Sequence, residues 1–191
     1  YRRPQRQRAH PAVNMDTVYT VGHGGRPIGE FVGLLQENGV RSIADVRKLP
    51  GSNRHPQYNR DTLRQTLAGH GIAYRHIPEL GGLRGSTPDI PPQRNALWRN
   101  RSFHRYADYM STAQFASGLA VLLHTARQTP TAIMCAETLW WRCHRRLIAD
   151  ALTAYGLSVV HILSLHRSEP AALTPGAVIL PDRTLAYPAR A

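Results

Sequence analysis

The sequence predicts an α/β domain: an open, mostly parallel sheet of about five strands with helices on both faces. Short apolar runs alternate with amphipathic stretches in the order strand–helix–strand–helix–strand–helices–strand–helix–strand, the pattern of parallel strands joined by crossover helices. Length supports the same class, because 191 residues make one sizeable domain able to bury a core.

Thr17 to Gly22 reads as the first strand, followed by the turn Gly22-His23-Gly24-Gly25. Pro27 opens a helix with Ile28, Phe31, Leu34 and Leu35 on its apolar face, stopped by Gly39. A glycine-flanked turn allows close backbone approach to a ligand, although this spacing matches neither the dinucleotide fingerprint nor the P-loop. Arg41 to Val46 gives the second strand, ending in Asp45-Val46-Arg47 before Pro50-Gly51-Ser52. Asn59 is placed to N-cap a helix carrying Leu63 and Leu67 that ends near Gly71. Ile72 to Ile77 is the third strand, with His76 near its end.

The segment from Gly85 to Asn100 is rich in proline and polar residues and long enough for a lid or binding segment. Arg94, Trp98, Arg99 and Arg101 interleave charge with an aromatic ring there, which suits phosphate contact with base stacking. Two helices follow, Phe103 to Met110 and one capped by Thr112 that carries Phe115, Leu119, Leu122 and Leu123. Thr131 to Met134 reads as a short buried strand. Arg142 to Tyr155 reads as an amphipathic helix with Leu147, Ile148, Ala151 and Leu152 on one face. Gly156 stops it, and Leu157 to Leu163 makes the last strand.

Residues 1–14 hold four arginines, two prolines and no acid, and are expected to be a disordered basic arm, with Met15 a candidate natural start. Residues 15–167 are expected to form the single domain, and 168–191 a proline-rich tail packed on it or trailing from it. No internal repeat is visible.

Composition excludes several classes. No apolar run reaches membrane-spanning length, so no membrane partner is expected, and no segment with a basic start and an apolar middle reads as a secretory leader. Two cysteines do not make a disulfide framework, which points to a reducing, cytoplasmic setting. The net charge is +12, and the residues after the arm still carry +8. Of the 24 basic residues Lys48 is the sole lysine, a bias that a GC-rich genome would also produce. The charge fits an anionic partner such as nucleic acid, without specifying a site.

The C-terminal strand ends carry the chemistry: His23, then Asp45 and Arg47, then His76, then Cys135 and Glu137. Open parallel sheets bind ligands on that rim, so these groups are expected to line one cleft. Cys143 and His144 fall at the start of the following helix, whose free N–H groups favour anions and lower a thiol pKa.

With these pieces in view, the chain resembles the family catalogued as domain of unknown function 488. The matching pieces are Thr20-Val21-Gly22-His23, Asp45-Val46-Arg47 with Pro50 and Ser52, and Tyr74-Arg75-His76-Ile77-Pro78-Glu79-Leu80-Gly81-Gly82. They continue with Phe103, Tyr106-Ala107-Asp108-Tyr109-Met110, Met134-Cys135-Ala136-Glu137 and Cys143-His144-Arg145, over roughly residues 17 to 163. One departure is Gly24-Gly25 after His23, where the family commonly carries a serine or threonine. The resemblance implies a shared site, to which it adds Tyr106, and no particular activity.

Glu137 and Asp45 are the candidate acid–base groups, since apolar surroundings raise a carboxyl pKa toward neutrality. With His23, His76 and Cys135 they form the expected catalytic set. Arg47, Arg84 and Arg145 are expected to hold phosphate, with Cys143, His144 and Tyr106 on the substrate side. The expected function is hydrolysis of a glycosidic bond of a modified or damaged base, as in DNA repair, acting on nucleic acid (DNA ahead of RNA) or a nucleotide. No cofactor is expected.

Three alternatives stay open. Cys135 or Cys143 could be a nucleophile with His144 or His76 as base. The Asp45-Val46-Arg47 strand end followed by a cysteine strand end resembles rhodanese-like sulfur-transfer domains, but their glycine-rich loop after the cysteine is absent. The second is a metal site of Cys135, Cys143 and His144, against which stand a spacing that matches no standard zinc pattern and the rarity of adjacent residues ligating one ion comfortably. The third is a non-enzymatic nucleic-acid binder. The sequence leaves the oligomeric state open.

Overall fold

The computed structural model describes residues 16–189, so the expected basic arm lies outside the described residues. The chain runs β1 (Thr17–Gly22), α1 (Ile28–Glu37), β2 (Ser42–Asp45), α2 (Arg60–Gly69), β3 (Ala73–His76), α3 (Arg101–Tyr109) and α4 (Ala113–Gln128). It continues with β4 (Thr131–Cys135), α5 (Arg145–Ala154), β5 (Ser158–Ser164) and β6 (Arg167–Pro170). These strands form a six-stranded sheet in the order β3-β2-β4-β1-β5-β6, all parallel except β6.

The fold is therefore the expected α/β class with one strand more than the five read from sequence. The chain turns back at His166, which has a positive φ of 61°, and Arg167–Pro170 pairs antiparallel with β5. Proline concealed this strand. Pro170 sits at the end of an edge strand, where its missing N–H costs no ladder bond.

Side chains alternate across the sheet, as strand geometry demands. Val18, Ala44 and Ile133 face a core formed with α3, α4 and α5, whereas Val21, Ile43, Ala132 and Met134 face a second core with α1 and α2. The helix after β1 thus covers one face and the helix after β4 the other. Because β1 and β4 are neighbours, their C-terminal ends bound the crevice where the winding reverses, the place where open sheets bind ligands.

The chain from residue 168 to 189 packs onto the domain. Thr174 donates its N–H to Asp150 Oδ1 at 2.9 Å, and the Tyr187 hydroxyl donates to Asp150 Oδ2 at 2.9 Å. A two-stranded ribbon, β7 (Val178–Ile179) with β8 (Leu185–Ala186), delivers Tyr187 to that buried position. Buried Asn95 donates to Asp108 and accepts from the Tyr187 N–H, so the segment between Gly85 and Asn100 is pinned at its centre. Trp98 there stacks on Phe103 and packs against Tyr187, so its ring is part of the packing.

Two local expectations differ. Asn59 makes no side-chain cap; its Oδ1 accepts instead from the Ser52 N–H at 2.7 Å and ties the β2 loop to α2. The helix expected over Arg142–Tyr155 begins at Arg145, preceded by a 3₁₀ turn over Trp140–Arg142 and an extended Cys143.

Candidate active site at the reversal of the sheet

β1 and β4 are joined at their ends by backbone. The His23 N–H donates to the Cys135 carbonyl at 3.0 Å and the Gly24 N–H to that of Ala136 at 2.9 Å. Any Cβ at Gly22 would lie 2.1 Å from the Glu137 carbonyl oxygen, so this glycine admits the protein's own loop, where the sequence suggested a ligand. His23 and Cys135 are therefore neighbours, as the strand-end argument expects.

A cleft of about 340 Å³ opens beside them, lined by Arg47, Lys48, Arg142, Phe103, Tyr106, Cys135, His144 and Gly82, with Leu49 and Leu83 at its mouth. Those two leucines are 77% and 81% exposed. A neighbouring hollow shares Arg47, Leu49 and Ala136 and adds His23, Ser52 and His55. Arg47 thus stands between two compartments.

The β2 wall is fully paired. Buried Asp45 accepts from the Arg47 backbone N–H at 3.0 Å, from Arg47 Nη2 at 2.6 Å and from the Tyr74 hydroxyl at 2.6 Å. Burial and the Asp45 carboxylate push the Tyr74 phenol above its ordinary pKa, so Tyr74 acts as a donor. His23 donates from Nδ1 to the Gly24 carbonyl, which leaves Nε2 as an acceptor 3.3 Å from Arg47 Nη1. Burial lowers the His23 pKa to about 4, and its ring stacks on Tyr58 at 4.0 Å. Asp45 and His23 together hold the Arg47 guanidinium at the cleft.

The β4–α5 wall is different. Arg145 is 0% exposed, donates from Nη2 to the Glu137 carbonyl and from Nε to Cys143 Sγ at 3.4 Å, and has no carboxylate partner among the described residues. A buried guanidinium requires an anion, and the available one is the Cys143 thiolate. The Cys135 thiol, donating to that sulfur, draws Cys143 well below the usual thiol range, and Arg145 adds to the effect. The same hydrogen bond, reinforced by burial, raises Cys135, so Cys135 keeps the proton. His144 donates from Nε2 to the Val46 carbonyl at 2.9 Å, leaving the Nδ1 lone pair 3.6 Å from Cys143 Sγ. The sulfurs of Cys135 and Cys143 and the His144 nitrogen all lie within 4.8 Å of one another.

Of the remaining expected site residues, three do not line the cleft. Glu137 is exposed, and its Oε1 accepts from the Leu139 N–H at 3.0 Å; the apolar surroundings expected for it are not there. His76 donates to the Arg47 carbonyl at 2.8 Å and braces the edge strand. Arg84 binds the carbonyls of Pro78, Glu79 and Gly81 and lies over the Tyr109 ring, so it is committed to its own turn. Tyr106 does line the cleft, with its hydroxyl donating to the Leu80 carbonyl at 2.7 Å. Sequence singles out neither Lys48, which stands out there only as the lone lysine, nor Arg142, the first residue of the expected helix.

No curated protein and no solved structure matches the chain. The model of the family described as domain of unknown function DUF488 matches residues 27–152, which carry Asp45, Arg47, Cys135, Cys143 and His144, while His23 and the strands β1, β5 and β6 fall outside it. That span is well over half of the sequence, and the chain belongs to this family.

Proposed function

We propose that the chain is an enzyme that hydrolyses a phosphate-bearing substrate of the nucleic-acid or nucleotide class in the Arg47–Arg142 cleft. The observation that carries this reading is the composition of the walls. Arg47, Lys48 and Arg142 share the cleft with Phe103 and Tyr106, and among the described residues no carboxylate lines it. Guanidinium and ammonium groups bind phosphate, aromatic faces accept a base, and an absent carboxylate spares the phosphate a repulsion. The volume sits at the small end of the roughly 300–1,000 Å³ of ligand sites, room for one nucleotide unit, so a base from a duplex would enter only when extruded.

The reaction we assign is cleavage of the glycosidic bond of a modified or damaged base, with DNA ahead of RNA. The position of Glu137 argues for moving the reactive centre to Cys135, Cys143 and His144, whose histidine Nδ1 lies 3.6 Å from Cys143 Sγ beside the cleft. The test is base release from oligonucleotides carrying a panel of modified bases, with binding followed against salt. Arg142→Ala should weaken binding and flatten the log–log salt slope by roughly 0.7–0.9. Binding indifferent to both salt and Arg142 would sink the reading.

A second reading has its own support in the pairing of Arg145 with Cys143: a stabilised thiolate also suits covalent thiol chemistry. Rapid alkylation of one cysteine by iodoacetamide, with loss of activity and a covalent substrate adduct trapped by acid quench, would favour it over hydrolysis.

A further inference from the structure

We propose that Cys135, Cys143 and His144 form a site for one thiophilic divalent cation of the zinc class, with its fourth position open to the cleft. In a tetrahedral site with metal–sulfur bonds of ~2.3 Å and metal–nitrogen bonds of ~2.05 Å, sulfur and nitrogen stand ~3.6 Å apart. Cys143 Sγ and His144 Nδ1 stand 3.6 Å apart. The second sulfur completes a triangle whose ligand atoms all lie within 4.8 Å.

Adjacency of Cys143 and His144 is no obstacle, because the backbone bends between them. Cys143 is extended at φ −120°, ψ 148°, and His144 is helical at φ −58°, ψ −16°. That bend brings the Nδ1 edge of the ring to the Cys143 sulfur.

The surroundings are those of a ligand set. The free nitrogen of a metal-bound histidine is usually fixed by a hydrogen bond, and here Nε2–H donates to the Val46 carbonyl at 2.9 Å. Arg145 Nε donates to the Cys143 sulfur, as outer N–H groups do to metal thiolates. Gly82 has no side chain beside Nδ1, where a Cβ would come within 3.0 Å of that nitrogen. Cys135 and His144 both reach the cleft, so an ion held by the three would have its open position there.

The charges also close. As thiolates, Cys135 and Cys143 would together neutralise a divalent cation. Three protein ligands and an open position define catalytic rather than structural zinc, and such an ion lowers the pKa of its water to about 7. That water would be the nucleophile no carboxylate of the cleft supplies. What the cation does rests on the hydrolytic reading; whether it binds does not.

The test is elemental analysis of the full chain purified under reducing conditions without chelator, followed by exchange into Co²⁺. One ion per chain is expected, with a sulfur-to-cobalt charge-transfer band and the visible absorption of tetrahedral cobalt. Cys143→Ser and His144→Ala, each checked for folding by circular dichroism, should bind Co²⁺ at least tenfold more weakly. The wild-type cobalt titration needs no variant, so a variant that fails to fold leaves the test intact. Wild-type protein with two titratable thiols and no charge-transfer band in excess Co²⁺ would overturn the proposal, as would a band unchanged in folded Cys143→Ser. Oligonucleotide binding is measured separately, so a loaded protein indifferent to nucleic acid sinks the hydrolytic reading alone.

Discussion

On the β2 side of the cleft, Asp45 accepts from the Arg47 backbone, the Arg47 guanidinium and Tyr74, and His23 has one nitrogen on Gly24 and the other on Arg47. On the β4–α5 side, Arg145 has a sulfur where a carboxylate would be expected, and His144 keeps a lone pair facing that sulfur. Both walls contain an arginine and a histidine, and both histidines are oriented by a backbone carbonyl. The difference is that the β2 wall completes its hydrogen bonds internally, whereas the β4–α5 wall keeps electron pairs available. Groups of the first kind hold a shape, and groups of the second kind can react. Asp45, expected as an acid–base group, thus serves to position Arg47.

The sharpest way to break this contrast is to remove Asp45. Asp45→Ala leaves Arg47 buried and unpaired, and breaking a buried ion pair from one side costs about 3–5 kcal/mol. Urea unfolding should show that loss. A change under about 1 kcal/mol would mean that the β2 wall is not the scaffold described here.

Acid should act on both walls at once. His23 belongs to the first, and His161, stacked on Trp140 at 4.0 Å with Nδ1 2.7 Å from Thr20 Oγ1, lies behind the second. Burial lowers both pKa values to about 4 from 6.5, so each ring is neutral in the folded state. As pH falls the unfolded chain takes up these protons first. Stability should therefore be level just above pH 6.5 and fall between 6.5 and 4, by about 1.4 kcal/mol per pH unit per histidine, up to about 3 kcal/mol each. His161→Phe should remove about half of that slope; an unchanged slope would show that His161 is not buried neutral.

On the β4–α5 wall, Cys143→Ala should cost comparable stability and more function. Arg145 loses its anion but keeps the Glu137 carbonyl, a penalty of about 3 kcal/mol, the lower end for an uncompensated buried charge. Base release should fall by about a hundredfold or more. A folded Cys143→Ala with full turnover would remove the sulfur cluster from the chemistry.

These contrasts also explain what the sequence made legible. Strand and helix periods placed β1, β2, β4 and β5 and their order, because burial on both faces writes apolar runs into the chain. Their shared place at C-terminal strand ends puts His23, Arg47 and Cys135 at one crevice. That place does not separate Asp45 from Cys143, since pairing depends on which neighbours the fold supplies. β6 was hidden by proline, and the role of Arg142 by a helix start displaced three residues, which only the turn over Trp140–Arg142 reveals. Arg84 reads as a phosphate anchor in the sequence, whereas in the fold its Nε and Nη2 bind carbonyls of its own turn.

The smallest expected effect belongs to the residue on which the sequence placed most weight. Glu137 follows Cys135 by two residues, so strand alternation would send it to the same side as the cysteine. But β4 ends at Cys135, and the chain then folds over Gly22, where close contact with the Glu137 carbonyl leaves room for no Cβ. The side chain is carried to the surface, where its carboxylate accepts the Leu139 N–H. Glu137→Gln retains an oxygen for that bond and should change stability by no more than about 0.5 kcal/mol, as exposed substitutions do. Turnover should likewise be retained. A rate loss of about a hundredfold or more, the scale of a lost general acid or base, would mean that the loop from Ala136 to Leu139 rearranges when substrate binds. The carboxylate would then join the cleft, and the division between a paired wall and a reactive wall would hold only for the free protein.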